Sequence, residues 1–346
     1  MGKLLRKNSP KRLAKQVKEI TESPVEKIVE PPDMEKVVST GSTLLDLAIS
    51  GKRRRGGGIP GGIIVEIFGP SGSGKTAVLA EICASAQYKG GQVKFLDPEA
   101  RLDQEYCRIY GLSLQEEDYA RPDTVTQVFD EMWKWEPEPT EAINVIATDS
   151  LAALSTEMEM EDRDKMGMRR AKEFSEGLRK TCRIIANNNW LIVCTNQVRE
   201  GDKGEVTPGG KGIPFYSSLR IRVAQKGKIV KAKSVGPKKK RVEKAIGIQS
   251  ECYIVKSTVD DPFRRVPIYI VFGVGIDDIR GNLQWLKDMA GATKYECIDK
   301  SFVSMDAAIH YIEEQGYQKQ LREQVIDLWE EIEDAFRIER KPKERW

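Results

Sequence analysis

The sequence predicts an α/β protein with a mainly parallel central sheet, and three observations support that prediction. Between about Thr40 and Ile279, short apolar runs alternate with stretches of helical periodicity, as strands do when helices carry the chain back between them. The apolar run Ile63–Phe68 passes into the glycine-rich stretch Gly69-Pro70-Ser71-Gly72-Ser73-Gly74-Lys75-Thr76, which opens the helical stretch Ala77–Lys89. A further apolar run, Ile143–Thr148, ends on an acid, Asp149.

Taken in chain order, Ser9 and Pro10 suit the cap and first turn of a helix. Leu13, Val17 and Ile20 fall on one face of it, Pro24 ends it, and Pro31-Pro32 makes a stiff connector. Residues 1–36 are therefore expected to form a small helical arm whose apolar stripe is buried on its own core or on a neighbour. Residues 37–280 are expected to form the core. Its strands are read at Ile63–Phe68, Val93–Leu96, Ile143–Thr148 and Leu191–Thr195, then at Leu219–Val223, Ser250–Lys256 and Val266–Phe272. In the helical stretch Arg170–Asn187, Phe174, Leu178, Cys182 and Ile185 make an apolar stripe, with Arg179 off it. Residues 281–346 are expected to form a small C-terminal α+β domain, its last helix striped by Leu321, Val325, Leu328, Ile332 and Phe336.

Composition removes several function classes. The 346 residues hold 56 Lys+Arg against 53 Asp+Glu, a net charge of +3 that does not by itself announce a nucleic-acid partner. The distribution says more, because residues 1–18 carry seven cations and no acid, and Lys52–Arg55 and Lys238–Arg241 are basic runs. Such separation creates local positive fields that a near-neutral total conceals. Six scattered cysteines without a C-x-x-C pair, and one histidine, argue against a zinc site or a disulfide framework and for an intracellular chain. The N-terminus lacks the apolar stretch of a secretory signal, Arg6 stands where a myristoylation signal needs Ser or Thr, and no apolar run approaches a membrane span. The expectation is a cytoplasmic protein without a membrane partner.

Residues 69–76 fit G-x-x-x-x-G-K-[ST], and they lie between a strand and a helix as that motif requires. Glycines let backbone N–H groups converge on phosphate oxygens, and the helix N-terminus adds a favourable dipole. The motif therefore implies ATP. Lys75 reaches its terminal phosphates, and Thr76 with the strand-end Asp149 holds Mg²⁺. Hydrolysis also needs a group to orient water. Asp97 and Glu99 both stand just past Val93–Leu96, and spacing alone does not choose between them. Asn196-Gln197, at the end of another run, offers an amide that can sense the γ-phosphate.

In this order the segments resemble the bacterial RecA recombinase family. They are STGSTLLDLAI (39–49), IVEIFGPSGSGKT (64–76), KFLDPEARLDQEY (94–106), NVIATDSLAAL (144–154), TNQVR (195–199), GGKGIPFYSSLRIRV (209–223), YIVKSTVDDPF (253–263) and FGVGI (272–276). The resemblance covers about three quarters of the chain and implies a P-loop RecA-type core. It implies that Glu99 polarises the attacking water and that Gln197 couples the γ-phosphate to the DNA loop beyond it. By the same likeness Tyr106 and Asp103 contact adenine, Lys256 reaches a neighbour's ATP, and Phe215 is an interface aromatic. DNA contacts are implied for two loops, about Ser155–Met168 with Met166, and Val198–Gly212 with Arg199, Lys203, Gly209, Gly210 and Lys211. Arg179 is implied as a further contact. Both loops lack apolar periodicity, and glycine with charge suits a loop that orders on a phosphate backbone.

The implied activity is that of a DNA-dependent ATPase that forms a helical filament on single-stranded DNA and pairs it with a homologous duplex. A ring-forming motor of the same fold, or an ATP-switched DNA binder with little turnover, are the alternatives. Four departures stand out, the first a second loop shorter than the family's usual form. Thr258 replaces a second trans-acting lysine, with Arg264 or Arg265 as possible substitutes. Gly51–Gly58 is an insertion expected to add flexible positive charge, and the end ERKPKERW lacks an acidic tail.

Overall fold

Residues 36–156, 168–201, 204–236 and 239–340 are described here from a computed structural model of the chain. Met166 and Lys203, and with them most of the first expected DNA loop and residues 1–35 of the N-terminal arm, lie outside the described residues.

The described chain begins with β1 (Val37–Val38), then α1 (Thr43–Ser50), capped by the Ser42 hydroxyl, then β2 (Ile59–Pro60), antiparallel to β1. Next come β3 (Ile63–Gly69), α2 (Lys75–Tyr88), β4 (Val93–Leu96), α3 (Gln104–Tyr110), β5 (Tyr119–Ala120), α4 (Val125–Lys134) and β6 (Val145–Thr148). After them run α5 (Met168–Asn188), β7 (Leu191–Gln197), the short pair β8 (Arg199–Gly201) and β9 (Gly204–Val206), and α6 (Gly212–Tyr216). The long strands β10 (Leu219–Val235) and β11 (Lys240–Ser257) precede β12 (Arg265–Val271) and β13 (Gly275–Ile276). The chain closes with α7 (Asp278–Met289), β14 (Tyr295–Cys297), β15 (Lys300–Phe302), α8 (Met305–Gln315) and α9 (Gln318–Ala335).

Among the described residues nine strands form the central sheet, in the order β13-β12-β11-β10-β3-β7-β6-β4-β5. From β10 to β5 every pairing is parallel, while β10 to β13 form an antiparallel meander. The parallel strands are mostly apolar because both faces are covered, with Glu66 in β3 and Lys94 in β4 as buried charged exceptions. Ile63, Val65 and Ile67 pack with α1 and α2 on one face, and Ile64 packs with α4 and α5 on the other. The stripe read on residues 170–187 is the buried face of α5, with Phe174 and Ile185 enclosed. In the C-terminal segment Leu283, Cys297, Ala308, Ile312 and Leu321 form a cluster of their own, yet Trp285, Val325, Ile326 and Trp329 join the central core.

Three expectations need correcting. The strands read at 219–223 and 250–256 are only the inner parts of β10 and β11, which run together for 17 and 18 residues. The apolar signal stops where the sheet's covering layers stop, but cross-strand pairing continues. The second expected DNA loop, read without regular structure, contains the antiparallel pair β8–β9, and Arg222 on β10 grips Glu205 through two 2.7 Å bonds. The insertion at residues 51–58 is not a free basic loop. Arg55 meets Glu323, Asp327 and Glu330 along α9, and Lys52 meets Asp261.

A candidate nucleotide site at the carboxyl edge of the sheet

Parallel strands place their C-terminal ends on one edge, where ligands bind in open α/β sheets. The register puts Gly69 directly beside Gln197, and Thr148 beside both Leu96 and Cys194. The glycine-rich turn, Asp149, Glu99 and Gln197 therefore converge on a single cleft of about 400 Å³. The turn needs glycine at its close approaches. Gly74 caps α2 with φ of +97°, and a Cβ there would lie 2.3 Å from Ile270 Cδ1.

At the base of the cleft, Lys75 Nζ donates to the carbonyls of Gly69 (3.0 Å) and Pro70 (2.8 Å). Burial pushes its ammonium down in pKa, while Asp149 and Glu99 push it back up. The Thr76 hydroxyl donates to Asp149 Oδ2 at 2.6 Å, and the Thr195 hydroxyl donates to the other carboxylate oxygen. Burial raises the Asp149 carboxyl, and those two hydroxyls and nearby acids modify the shift. The Ser73 hydroxyl is buried without a hydrogen-bond partner, so a polar atom in the turn awaits something to bond.

Glu99 accepts from Ser150 Oγ at 2.6 Å and from Gln197 Nε2 at 3.5 Å, and Arg101 lies 2.8 Å from its other oxygen. Asp97 has a different position. Its Oδ2 accepts from the Leu102 amide (2.9 Å) and the Tyr119 hydroxyl (2.8 Å), so this buried carboxylate fixes the loop rather than facing the cleft. One wall is apolar, formed by Tyr106, Ile109, Tyr110, Ile270 and Phe272. The rings of Tyr106 and Tyr110 lie 4.9 Å apart. Asp103 lines a neighbouring cleft instead, and its carboxylate caps α3 by accepting from the Tyr106 amide at 2.7 Å.

With this geometry in place, known proteins can be compared. The family described as the RecA N-terminal domain matches residues 14–277. Protein RecA of Thermus aquaticus is 36% identical over 270 residues, covering 76% of this chain and 75% of its own. Protein RecA of Thermus thermophilus is 35% identical over 256 residues, covering 72% and 71%. Protein RecA of Delftia acidovorans is 33% identical over 251 residues, covering 70% and 63%.

The chain belongs to the RecA family.

The other residues that the RecA likeness marks lie outside the cleft. Lys256 pairs in register with Arg220, and its Nζ donates to the carbonyls of Pro214 and Phe215, both at 2.9 Å. The Phe215 ring itself is 74% exposed, so the cation and the aromatic form one outward-facing feature. Arg264 and Arg265, the substitutes considered for the lysine lost at Thr258, are occupied locally. Arg264 meets Asp260 and Glu333, and Arg265 meets Glu251 and stacks over Tyr253. Arg199 and Lys211 are exposed at the two ends of the second loop, and Arg179 is exposed on α5. Gly209 and Gly210 turn the chain against α5. A Cβ at Gly209 would lie 2.3 Å from Ile213 and 3.2 Å from Phe174.

Sequence reasoning missed Ser150, Thr195 and Glu66. Glu66 is fully buried, pairs with Arg220 at 2.6 Å and accepts from Asn196 at 3.0 Å. Asn196 also donates to the Pro208 carbonyl at 3.0 Å, so one buried carboxylate joins the end of β7 to the return of the second loop. An acid inside the apolar run Ile63–Phe68 was the available signal, since a buried carboxylate needs partners. Tyr110 also went unnoticed, though its i,i+4 spacing from Tyr106 on a helix marks a pair.

Proposed function

We infer that this chain is an ATP-dependent recombinase, a DNA-dependent ATPase that assembles as a helical filament on single-stranded DNA and pairs it with a homologous duplex. One observation carries the reading: the Gln197 amide approaches Glu99 inside the nucleotide cleft, while the residues that follow it form the second loop, rich in glycine and charge. A single short stretch thus touches both the phosphate side and the DNA side.

The residues present suit ATP and a magnesium ion. Among the described residues no cluster of three or more His, Cys, Asp or Glu side chains could hold a metal alone. Two protein ligands, Thr76 and Asp149, with phosphate oxygens and water completing the shell, is the usual arrangement for this ion. Bound there, Mg²⁺ would neutralise charge between the β- and γ-phosphates. The N–H groups from Gly69 through Ser73 and Gly74 to Thr76 cradle the phosphates, with Pro70, Ser71 and Gly72 shaping the turn, and Lys75 supplies a cation. The Tyr106 wall takes the adenine, and Asp103 holds the helix that carries Tyr106. Glu99, oriented by Ser150, positions the attacking water. Gln197 contacts the γ-phosphate and transmits its presence to the loop.

Lys256 and Phe215 face outward, which suits a role at the seam with a neighbour, where Lys256 completes that neighbour's site. Arg199, Lys203, Gly209, Gly210 and Lys211, with Arg179 and Met166, contact single-stranded DNA. Because backbone contacts carry little sequence information, partner choice falls to base pairing.

The test is Gln197→Ala. Single-stranded DNA affinity, measured by fluorescence anisotropy with and without ATP, should lose its nucleotide dependence, a coupling typically of ~5- to 150-fold, while ATP still binds. A variant that keeps the full ATP effect would remove the basis of this reading.

A further inference from the structure

Beyond the sheet, β10 and β11 continue as a ribbon of their own. β10 last touches β3 at Arg222, and β11 last touches β12 at Gly247. From Val230↔Ala245 to Val235↔Lys240 the two strands pair only with each other among the described residues. Residues directly opposite share a face, and successive residues alternate. One face therefore carries Lys231, Lys233, Lys240 and Lys244 with Val235 and Val242. The other carries Val230, Ala232, Ser234, Ala245 and the Arg241–Glu243 pair, which bonds at 3.2 Å.

The lysine face holds no acid. Lys231 and Lys244 are directly opposite, and like charges so placed repel. Lys231 has one relief outside the ribbon, Asp306 at 2.8 Å, which Arg280 also approaches at 3.6 Å. That contact leans the ribbon on the start of α8. Lys233, Lys240 and Lys244 have no ion pair among the described residues, and all three are exposed.

We propose that this lysine face grips the phosphate backbone of double-stranded DNA. Lysines two apart on a strand stand about 7 Å apart, a spacing that lets neighbouring ammonium groups meet successive phosphates. The ribbon has no aromatic residue between Lys226 and Ile246, whereas grooves that hold single strands combine charge with stacking rings. Charge without rings fits a duplex, whose bases are already stacked and whose phosphates form rigid rails. The surface is separate from the nucleotide cleft and from the second loop. It rests on the recombinase reading only for the identity of the polyanion.

The experiment uses the full chain and a fluorescein-labelled 30-base-pair duplex, with its single strand as comparison, over a series of NaCl concentrations. In K233Q/K240Q/K244Q the slope of log affinity against log salt for the duplex should shrink by about 2.7, on ~0.9 per phosphate released. Single-strand affinity and single-strand-stimulated ATP hydrolysis should stay within about twofold, and K233R/K240R/K244R should restore the duplex slope. An unchanged duplex slope overturns the proposal. Equal losses on duplex and single strand overturn it too, as does aggregation with an unchanged slope, since the lysines would then serve only to keep an edge from pairing. Should the glutamine variant lose its folded circular-dichroism signal, a ribbon closed by Asn-Gly after Lys231 and before Lys244 decides in the same assay. Loss of ATP hydrolysis on single strands in the unaltered chain would instead refute the recombinase reading and leave the duplex measurement standing.

Discussion

Ser150 Oγ donates a 2.6 Å hydrogen bond to Glu99 Oε1, joining the residues just past β6 to those just past β4 across the mouth of the nucleotide cleft. The bond fixes one oxygen of Glu99, and Arg101 neutralises the other. A carboxylate held this way is oriented before substrate arrives, which is how a group that positions water contributes most.

Glu99→Gln should therefore keep ATP binding and lose turnover, by on the order of 10²- to 10⁴-fold. Ser150→Ala should show a smaller loss in the same direction. Steady-state hydrolysis with single-stranded DNA, beside binding of a fluorescent ATP analogue, separates turnover from affinity.

Lys75→Ala should abolish ATP-dependent assembly, because it removes the side-chain cation at the base of the turn. Filaments seen by negative-stain microscopy in ATP, equal to those of the unaltered chain, would refute the phosphate role.

Lys256→Ala should depress hydrolysis alone yet recover in mixed assemblies with a Glu99→Gln partner. Each variant would then supply what the other lacks at a shared seam. Mixtures no more active than the separate variants would speak against a site completed by a neighbour.

Glu66→Ala should cost about 3 kcal/mol in urea unfolding, since breaking a buried pair strands its partners. Arg220 would lose its carboxylate partner, and Asn196 would keep only the Pro208 carbonyl. The second loop should also loosen around Pro208, measurable as faster amide exchange at the neighbouring Gly209 and Gly210. A neutral result would mean that Arg220 relaxes to solvent without consequence.

Glu81 gives a pH dependence. Burial lifts its carboxyl from 4.5 to about 7, opposed by the Ile276 amide and reinforced by Asp278. The folded state then holds a proton that the unfolded chain releases, so the stability Glu81 contributes is full below pH 4.5, falls as pH rises to about 7, and is gone above that. Asp46, lifted by burial from 3.8 to about 6, adds a fall in the same direction. Glu81→Gln should flatten the upper part of this decline in denaturation midpoints taken from pH 5 to 8. A decline of undiminished steepness in that variant would assign the effect elsewhere.

The sequence by itself determined the strand–turn–helix around Gly69–Thr76, the acid that ends β6, and the alternation that builds a parallel sheet. These are local signals, carried by glycine conformations and by apolar spacing among near neighbours. Tertiary structure decided what depends on residues far apart in the chain. Spacing left Asp97 and Glu99 equivalent, and the enclosure of Asp97 by Leu102 and Tyr119 separates them. The basic insertion looked free until α9, some 270 residues later, brought Glu323, Asp327 and Glu330 to Arg55. The outer ribbon of β10 and β11 escaped notice because alternating lysines give no apolar period. Its strands are specified by cross-strand hydrogen bonds and register, which no single stretch of sequence contains.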